Sequence, residues 1–455
     1  VYTFGDDALS GSNQFILILG GAVAAIVGFR KKVPYKRMLA EVAENVKSTT
    51  GALLILLMVG ALSGTWLVSG IIPAMIYYGL QILNPTIFLA ACVIICAIIS
   101  IATGSSWTTA ATVGIAMVGI GEALGISLGM TAGAVLSGAY FGDKMSPLSD
   151  TTNLAPAMAG GDLFSHIRYM AWTTIPTISI TLVVFIILGL TLDTSGNANT
   201  DALLADIEAA FNVSGWLFIV PVLVIFLIVK KTPPLAALLI GTLLGAVFAL
   251  IFQPDVIAKI GGAESLNFEA GYKGILNAIT VDTAITTKNP ALNDLFSSGG
   301  MAGMLGTIWL IVCAMVFGGI MDGIGALQRI TQSLLSMAKT TFGLFASTVG
   351  SCLALNVTAS DQYLALVVPG KMFSKAYQER GLAPENLSRT LEDSGTVTSV
   401  LVPWNTCGAY HSGVLGVSVG DYFFYAIFNW LSPFMTLLFA ALNIKIKQLA
   451  QKITV

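Results

Sequence analysis

The stretch that decides the fold is Ser137–Gly161, SGAYFGDKMSPLSDTTNLAPAMAGG. It places Asp143 and Asp150, a lysine and two prolines between segments that are otherwise apolar. A lipid bilayer offers no water to exposed backbone N–H and C=O groups. A broken polar segment is therefore stable at membrane depth only inside protein or along an aqueous cavity. The stretch predicts a helix that is broken within a membrane, next to such a cavity.

The composition of the whole chain indicates the same class of protein. Hydrophobic residues make up 55% of the 455 residues and charged residues 10%, with a mean hydropathy of +0.84, whereas soluble proteins carry about 25% charged residues. Many windows approach the roughly 20 apolar residues that cross a bilayer. They are residues 14–29, 51–70, 86–103, 175–190, 216–229, 235–252, 301–320 and 421–442. We predict an all-α polytopic membrane protein of the bacterial inner membrane, because the short alternating segments of an outer-membrane barrel do not occur.

Other classes of protein find little support in the sequence. The net charge of −2 and the lack of an extended basic face exclude nucleic acid as a partner. The five cysteines show no metal-type pairing, and the chain has no nucleophile elbow, P-loop, HExxH or paired CxxC motif. We therefore expect neither an enzyme nor a resident cofactor.

Loop charges predict the orientation of the spans, since short cytoplasmic loops are rich in Lys and Arg. The segment 30–47 carries six basic residues, which places it inside, whereas the loop 191–213 has four acids and no basic residue, which places it outside. Basic residues near 230, 371–389 and 445–452 mark further inner segments. The two halves of the chain therefore have opposite predicted orientations.

Each half contains a polar cluster, a long broken segment and a final span. The clusters are residues 103–109 and 356–361, and the broken segments are residues 129–161 and 387–420. Such a pattern is typical of transporters built from two inverted-topology repeats with re-entrant hairpins and broken helices. We predict a first repeat over residues 1–190, an acidic outer loop and linking span over 191–233, and a second repeat over 234–455.

The candidate site is built on carboxylates beside helix-breaking prolines. An aspartate at mid-bilayer costs roughly 2.5–3.5 kcal/mol, and such residues usually face a cavity. Pro147 breaks the helix between Asp143 and Asp150 and leaves backbone carbonyls unpaired. Nearby hydroxyl and amide oxygens are hard ligands that suit Na+. An Asp143–Lys144 salt bridge or a surface loop remains the alternative.

The second half supplies a matching set. Asp361 and Asp393 are its candidate carboxylates, whereas Glu392 lies nearer a cytoplasmic loop and is expected to be solvated. The Ser and Thr residues could instead bond back to their own helices. The predicted ion- and proton-binding residues, taken as the Na+ site, are Asp143, Asp150, Asp361, Asp393, Thr151, Thr152, Asn153, Ser105, Ser106, Thr108, Asn356, Thr358, Ser360, Thr396, Asn405 and Thr406. A larger substrate pocket would use Trp107, Trp404 and His411, and simple packing remains the alternative for His411.

Three segments carry a family resemblance. Ser137–Gly160, Leu391–Tyr410 and Thr103–Ala116 resemble the signature segments of NhaC-type Na+/H+ antiporters, which belong to the ion transporter superfamily. The resemblance implies inverted repeats with re-entrant hairpins. Related members also exchange or import organic acids and amino acids with Na+, so the resemblance leaves the cargo open.

The sequence therefore predicts a secondary active transporter that exchanges Na+ for H+ by alternating access at a midplane carboxylate site. Since one carboxylate cannot hold a proton and Na+ at once, the two ions would displace each other. The alternative is a Na+-coupled carrier or exchanger of a small organic acid or amino acid. The expected partners are Na+, H+ and the lipid bilayer. An organic solute, a homodimer and the stoichiometry are left open.

Overall fold

The computed structural model describes residues 11–82, 84–192, 200–230, 232–287, 292, 293 and 296–449. The first half of this part of the chain is a run of helices. They are α1 (Ser12–Arg30), α2 (Tyr35–Val68), α3 (Ile71–Ile82), α4 (Pro85–Thr103), α5 (Ser106–Thr109), α6 (Ile115–Ala123), α7 (Leu128–Met145), α8 (Asp150–Ala159) and α9 (Leu163–Thr191). A π-helical turn, Ala110–Gly114, joins α5 to α6.

The linking region and the second half continue the pattern. The linking region consists of α10 (Thr200–Ala210), a 3₁₀ turn at Gly215–Phe218 and α11 (Ile219–Val229). The second half contains α12 (Pro234–Phe252), α13 (Pro254–Ile260), α14 (Phe268–Thr280), α15 (Gly300–Gly303), α16 (Leu305–Gly323), α17 (Ala326–Ser336), α18 (Thr341–Thr358), α19 (Gln362–Glu379), α20 (Pro384–Leu391), α21 (Thr406–Leu415), α22 (Val419–Tyr422) and α23 (Ile427–Ala441). Two short antiparallel strands, β1 (Thr283–Ala284) and β2 (Ser297–Ser298), lie between α14 and α15.

The described residues contain seven helices that are long and apolar enough to cross a membrane. An eighth span results if residues 203–210 and 215–229, which meet at 82°, count as one. The prediction of an all-α polytopic membrane protein is thereby confirmed. The last apolar window is shorter than expected, because its helix, α23, has 15 residues. Of the predicted acidic loop, residues 193–199 with Asp193 lie outside the described residues.

Helix α7 forms the centre of the fold and packs closely on α4, with α9 and α23 beside it. Its small residues permit the contact. A Cβ atom at Gly138 would lie 2.2 Å from the carbonyl oxygen of Val93, and one at Gly142 would lie 2.5 Å from that of Ala97. Close backbone approach of this kind is the usual way in which membrane helices associate without a hydrophobic driving force. It carries the last turn of α7, with Asp143, into the protein interior.

The two broken segments have similar local structures. After α7 the chain breaks at residues 146–149, which contain Pro147, and then forms the ten-residue helix α8. After α20 the chain continues through a π-helical turn at Glu392–Thr396 and a 3₁₀ turn at Ser399–Leu401. It then breaks at residues 402–405, which contain Pro403, and forms the ten-residue helix α21. Both ten-residue helices end at a left-handed glycine, Gly160 and Gly416. The repeat boundaries and their inverted orientation stay predictions.

Two hairpins turn beside these breaks. The chain passes from α4 to α5 through Gly104 and Ser105, and the Ser105 hydroxyl accepts the Thr108 N–H at 3.1 Å. It passes from α18 to α19 through Ser360, which has a positive φ of 60°, and Asp361. The Asp361 carboxylate accepts the Leu364 N–H at 2.9 Å. Both second helices therefore begin with polar caps that satisfy backbone donors away from water.

Candidate carboxylate cavity

A cavity of about 640 Å³ lies where the first break meets the tips of the two hairpins. Helix α2 and the start of α12 complete its wall. Eight residues of the predicted site and pocket lie on this wall: Asp143, Asp150, Asp361, Ser105, Thr108, Thr151, Thr406 and Trp107. The wall is thus rich in carboxylate and hydroxyl oxygens, which are the ligands of hard cations.

Three carboxylates reach the cavity from three different elements. Asp143 lies at the end of α7, Asp150 begins α8 and Asp361 caps α19. Asp143 and Asp361 are buried, whereas Asp150 is exposed. Among the described residues, no three Asp, Glu, His or Cys side chains converge on one metal position. A cation at Asp143 or Asp361 would therefore combine one carboxylate with hydroxyl and backbone oxygens.

The orientation of Asp143 is fixed by the N-terminus of α5. The backbone N–H of Ser106 donates to Asp143 Oδ2 at 3.0 Å, and the Ser106 hydroxyl donates to the same atom at 2.6 Å. Hydrogen bonds to a carboxylate are stronger than those between neutral groups. Ser106 itself is not on the cavity wall. Its two hydrogen bonds hold the Asp143 carboxylate, which does line the cavity.

Thr152 and Asn153 hold the first break together. The Thr152 hydroxyl lies 3.2 Å from the carbonyl oxygen of Asp143, which also accepts the Ser146 N–H, and 3.1 Å from that of Lys144, both in the last turn of α7. The amide of Asn153 donates to the carbonyl oxygens of Pro147 and Ser149 at 2.9 and 2.7 Å. Neither residue is on the cavity wall: Asn153 is exposed, and Thr152 is buried at the break.

An asparagine pair joins the second hairpin to the second break. Asn356 donates to the carbonyl oxygen of Gly395 at 2.8 Å, and Asn405 donates to that of Asn356 at 3.1 Å. The Thr406 N–H donates to the Ser360 carbonyl oxygen at 2.9 Å. Asn356, Ser360 and Asn405 therefore support the site from behind, and Thr406 is the member of this group that reaches the wall.

The three aromatic candidates separate in the structure. Trp107 lies on the wall and stacks on Tyr410 with ring centroids 4.0 Å apart. His411 is fully buried behind this pair, where its Nδ1 lies 2.8 Å from the Cys407 carbonyl oxygen and its ring packs on Tyr140. Trp404 lies away from the wall, which leaves Trp107 alone of the three in contact with the cavity.

Three further predicted residues make other contacts. Trp404 donates from Nε1 to the Val357 carbonyl oxygen at 2.8 Å. Thr358 bonds back to Ala354 at 2.7 Å, which is the helix-satisfying alternative that the sequence left open. Thr396 is buried within the helix that follows α20. None of the three is on the cavity wall.

Asp393 is paired with a lysine instead of facing the cavity. Lys144 Nζ contacts Asp393 Oδ1, and neither side chain has exposed surface. Thr173 donates to Asp393 Oδ2 at 2.8 Å, and Thr436 donates to the same atom. The alternative of an Asp143–Lys144 salt bridge does not occur, because Lys144 reaches across to the second half.

Sequence reasoning missed several residues. The expectation that Glu392 is solvated was wrong, since its side chain is fully buried. Ser48 and Thr49 on α2 and Gln362 and Tyr363 on α19 also line the cavity. The two α2 residues carried a weak signal, because they are polar residues at the edge of an apolar span. Nothing in the local sequence indicated Gln362 or Tyr363.

Comparison with known proteins identifies the chain. Residues 138–444 match the model of the Na+/H+ antiporter family. The Na+/H+ antiporter NhaC of Alkalihalophilus pseudofirmus is 38% identical, with 93% of this chain and 88% of that protein covered. The malate-2H+/Na+-lactate antiporter of Bacillus subtilis is also 38% identical, with coverage of 92% and 86%.

A third relative is named for a different cargo. The arginine/ornithine antiporter ArcD of Halobacterium salinarum is 35% identical, with 87% of this chain and 80% of that protein covered. All three relatives are antiporters, and none is an enzyme. The family match spans both candidate carboxylate regions, and with this degree of identity it shows that the chain belongs to the Na+/H+ antiporter family as a secondary antiporter of the membrane.

Proposed function

We propose that the protein exchanges Na+ for H+ by alternating access at the carboxylate cavity. The observation that carries the proposal is the meeting of Asp143, Asp150 and Asp361 on the wall of one cavity inside a membrane protein. Carboxylates inside a membrane are costly and usually serve an ion or proton path. Here Asp143 and Asp150 come from the first broken segment and Asp361 from the tip of the second hairpin, and broken helices and re-entrant hairpins are elements that transporters use at their sites.

Competition at one carboxylate accounts for the exchange. A proton on Asp143 removes the negative charge that Na+ needs, and bound Na+ disfavours the proton in turn. Ser106 holds Asp143 in one orientation by two hydrogen bonds, so the carboxylate is set for a ligand from the cavity. Ser105, Thr108 and Thr151 provide neighbouring hydroxyl oxygens. Binding of either ion therefore excludes the other.

The cavity faces the side that the basic loops mark as cytoplasmic. Ser48 and Thr232 on its wall are close in sequence to the basic residues Lys47 and Lys230. Segments that are predicted to lie on the cytoplasmic side of the membrane also contact one another. Lys447 pairs with Glu385 at 2.5 Å, and Tyr169 contacts Asn386 at 2.5 Å. These contacts agree with the predicted side of their segments, whereas the position of the cavity beside Lys47 and Lys230 supports an inward-open arrangement, from which closure and outward opening would complete the cycle.

An exchanger of a small organic acid is the second candidate. A volume of about 640 Å³ is far larger than a sodium ion needs and lies in the range of small-molecule sites. The N-termini of α8 and α19 also point positive dipole ends at the wall, which would attract an anion. A relative of this chain is named as a malate-2H+/Na+-lactate antiporter. Bound Na+ would then offset the charge of the carboxylates.

Transport in proteoliposomes separates the two candidates. The full chain is reconstituted with a pH-sensitive dye inside, and a Na+ gradient is imposed without any organic solute. We expect protons to move opposite to Na+ under these conditions. Proton movement that begins only when malate, lactate or an amino acid is added would refute simple exchange and support the organic-acid carrier.

A further inference from the structure

The chain after α23 lies across the predicted cytoplasmic ends of α9 and α20. We call this segment, residues 443–449, the strap. The Lys447 carbonyl oxygen accepts the Ala383 N–H at 2.9 Å, and the Leu449 N–H donates to the Gly381 carbonyl oxygen at 2.7 Å. These bonds fix the path of the strap along the loop that precedes α20.

Lys445 is the residue of the strap that is bound to α9. Its φ of 49° is a left-handed conformation that residues with a side chain seldom adopt. The Tyr169 hydroxyl on α9 donates to the Lys445 carbonyl oxygen, and the Lys447 N–H donates to the same hydroxyl at 3.3 Å. A conformation of this kind persists only where the surrounding contacts impose it, and it is often found at functional sites. The strap therefore holds Lys445 in one place against α9.

The side chain of Lys445 lies over an exposed tryptophan of α9. Lys445 Nζ is 4.2 Å from the centroid of the Trp172 ring, within the range of a cation–π contact. Trp172 has 51% of its surface exposed. Arg168 precedes Trp172 by four residues and is exposed on the same face of α9. Two cationic side chains therefore lie beside one exposed indole ring.

The charge of these two side chains is not balanced by an ion pair. Within the part of the chain that the structure describes, neither Lys445 nor Arg168 forms an ion pair with a carboxylate. Asp162 is near enough for the charge of Arg168 to act on it, but its carboxylate caps α9 by accepting the Ser165 N–H at 2.9 Å. The cluster can therefore bind a further anionic group.

The length of α9 indicates the depth of the cluster in the membrane. The helix has 29 residues and is about 44 Å long, whereas the hydrocarbon core of a bilayer is about 30 Å thick. Trp172 precedes the apolar window 175–190 by about 4.5 Å along the helix axis, and Arg168 precedes it by about 10 Å. Tryptophan is enriched where hydrocarbon meets the headgroups. The cluster therefore lies at the level of the lipid headgroups.

An apolar row on the neighbouring helix leads to the same place. Helix α23 packs on α9. Phe434 and Leu438 on α23 and Leu442 directly after it are spaced four residues apart, and all three are exposed. Leu442 precedes Lys445 by three residues. An acyl chain that lies along this row would bring its headgroup to Lys445.

We propose that Lys445, Arg168 and the Trp172 ring form a binding site for the phosphate group of an anionic phospholipid, whose acyl chains lie along α23. Ammonium and guanidinium groups form strong hydrogen bonds with phosphate oxygens. The cytoplasmic leaflet is negatively charged and attracts basic residues beside a membrane span. Because the lipid contacts Arg168 on α9 and Lys445 on the strap, it fastens the strap to α9. The site is separate from the carboxylate cavity and does not depend on which ion is transported.

The test measures the affinity of the purified full chain for phosphatidylglycerol in detergent, from the rise in unfolding temperature as the lipid is added. Phosphatidylcholine with the same acyl chains and inorganic phosphate are the comparison probes, and both should protect much less. Lys445→Gln and Arg168→Gln should each weaken the apparent affinity for phosphatidylglycerol by about fivefold. Lys375→Gln is the matched control, because Lys375 is an exposed lysine of α19 that pairs with Glu379 at 3.6 Å. It should bind phosphatidylglycerol like the wild type.

Three results would overturn the lipid site. They are equal protection by phosphatidylglycerol and phosphatidylcholine, protection by inorganic phosphate at the same concentration as phosphatidylglycerol, and affinities of Lys445→Gln and Arg168→Gln that match that of Lys375→Gln. If Lys445→Gln does not fold, Lys445→Arg replaces it. Lys445→Arg keeps the charge and should retain wild-type affinity, whereas Arg168→Gln, which leaves the strap unchanged, should still lose about fivefold. Wild-type affinity in Arg168→Gln would then overturn the site.

Discussion

Lys144 and Asp393, which are 249 positions apart in the chain, form an ion pair with no exposed surface on either side chain. The pair joins the end of α7 to the π-helical turn after α20. Thr173 and Thr436 satisfy the second oxygen of Asp393. The two broken regions are therefore tied together by charge, one residue away from the cavity carboxylate Asp143.

Removal of one partner of this pair should destabilise the protein strongly. A single charge left in the interior costs about 3–5 kcal/mol, whereas replacement of a whole buried pair by apolar residues is often tolerated. We expect Asp393→Leu and Lys144→Met each to lower the unfolding temperature in detergent, and the double variant Lys144→Met/Asp393→Leu to recover much of the loss. Purely additive losses would show that the two side chains are not coupled in the folded protein.

The cavity carboxylates should be needed for transport and not for folding. Asp143→Asn and Asp150→Asn keep the size of the side chain and remove its charge. Each should abolish Na+-dependent transport or weaken apparent Na+ affinity strongly. The purified variants should still be folded, with the same elution volume in size-exclusion chromatography as the wild type. Asp255→Asn, at an exposed position of α13, is the control and should be nearly silent. Normal transport by both cavity variants would move the site away from the first break.

Gly104 should tolerate no side chain. It has a φ of +71°, and a Cβ atom there would lie 2.6 Å from Leu148 Cβ and 2.7 Å from the Leu148 carbonyl carbon. Gly160 also has a positive φ, but a Cβ atom would meet nothing within 4 Å. Left-handed backbone costs a non-glycine residue roughly 1–2 kcal/mol. Gly160→Ala should therefore lose about that much stability, whereas Gly104→Ala should lose more and separate the hairpin tip from the break. Equal losses of stability in the two variants would contradict the close contact between Gly104 and Leu148.

Cysteine labelling tests the predicted orientation. The native cysteines are all buried, so background labelling should be low. Lys31 lies in the predicted inner segment 30–47, and Glu264 lies in the segment 253–300, whose five acids and three lysines predict the outer side. Cysteines introduced at these two exposed positions should react with a membrane-impermeant reagent from opposite faces. In intact cells only the variant at Glu264 should label. Labelling of both from outside would end the inverted-repeat account, because the charge rule supplies its orientation.

Much of the fold could be predicted because a bilayer imposes a simple requirement on sequence. Apolar windows such as 86–103 and 235–252 are long enough to cross a bilayer, and α4 and α12 appear there. Asp143 and Asp150 were predicted as site residues by similar reasoning, because a carboxylate beside a proline in an apolar region usually faces a cavity, and both lie on the cavity wall. Local composition was sufficient for both results.

The pairing of side chains could not be predicted in this way. Lys144 meets Asp393 only because α7 and the helix after α20 pack together, and no spacing in the sequence encodes that contact. Glu392 was expected to be solvated because it lies nearer a cytoplasmic loop in the sequence. In the structure α8, α9 and α19 cover this segment, so charge near a loop was a poor guide to exposure.

The most direct test of Na+/H+ competition is the affinity of the purified protein for Na+ as a function of pH, measured by calorimetry without organic solutes. If one proton and one Na+ compete for a cavity carboxylate, the apparent Kd should rise about tenfold for each unit by which pH falls below the range where the carboxyl binds its proton. Two competing protons would give about a hundredfold. A Kd for Na+ that does not change with pH would contradict exchange at a shared carboxylate.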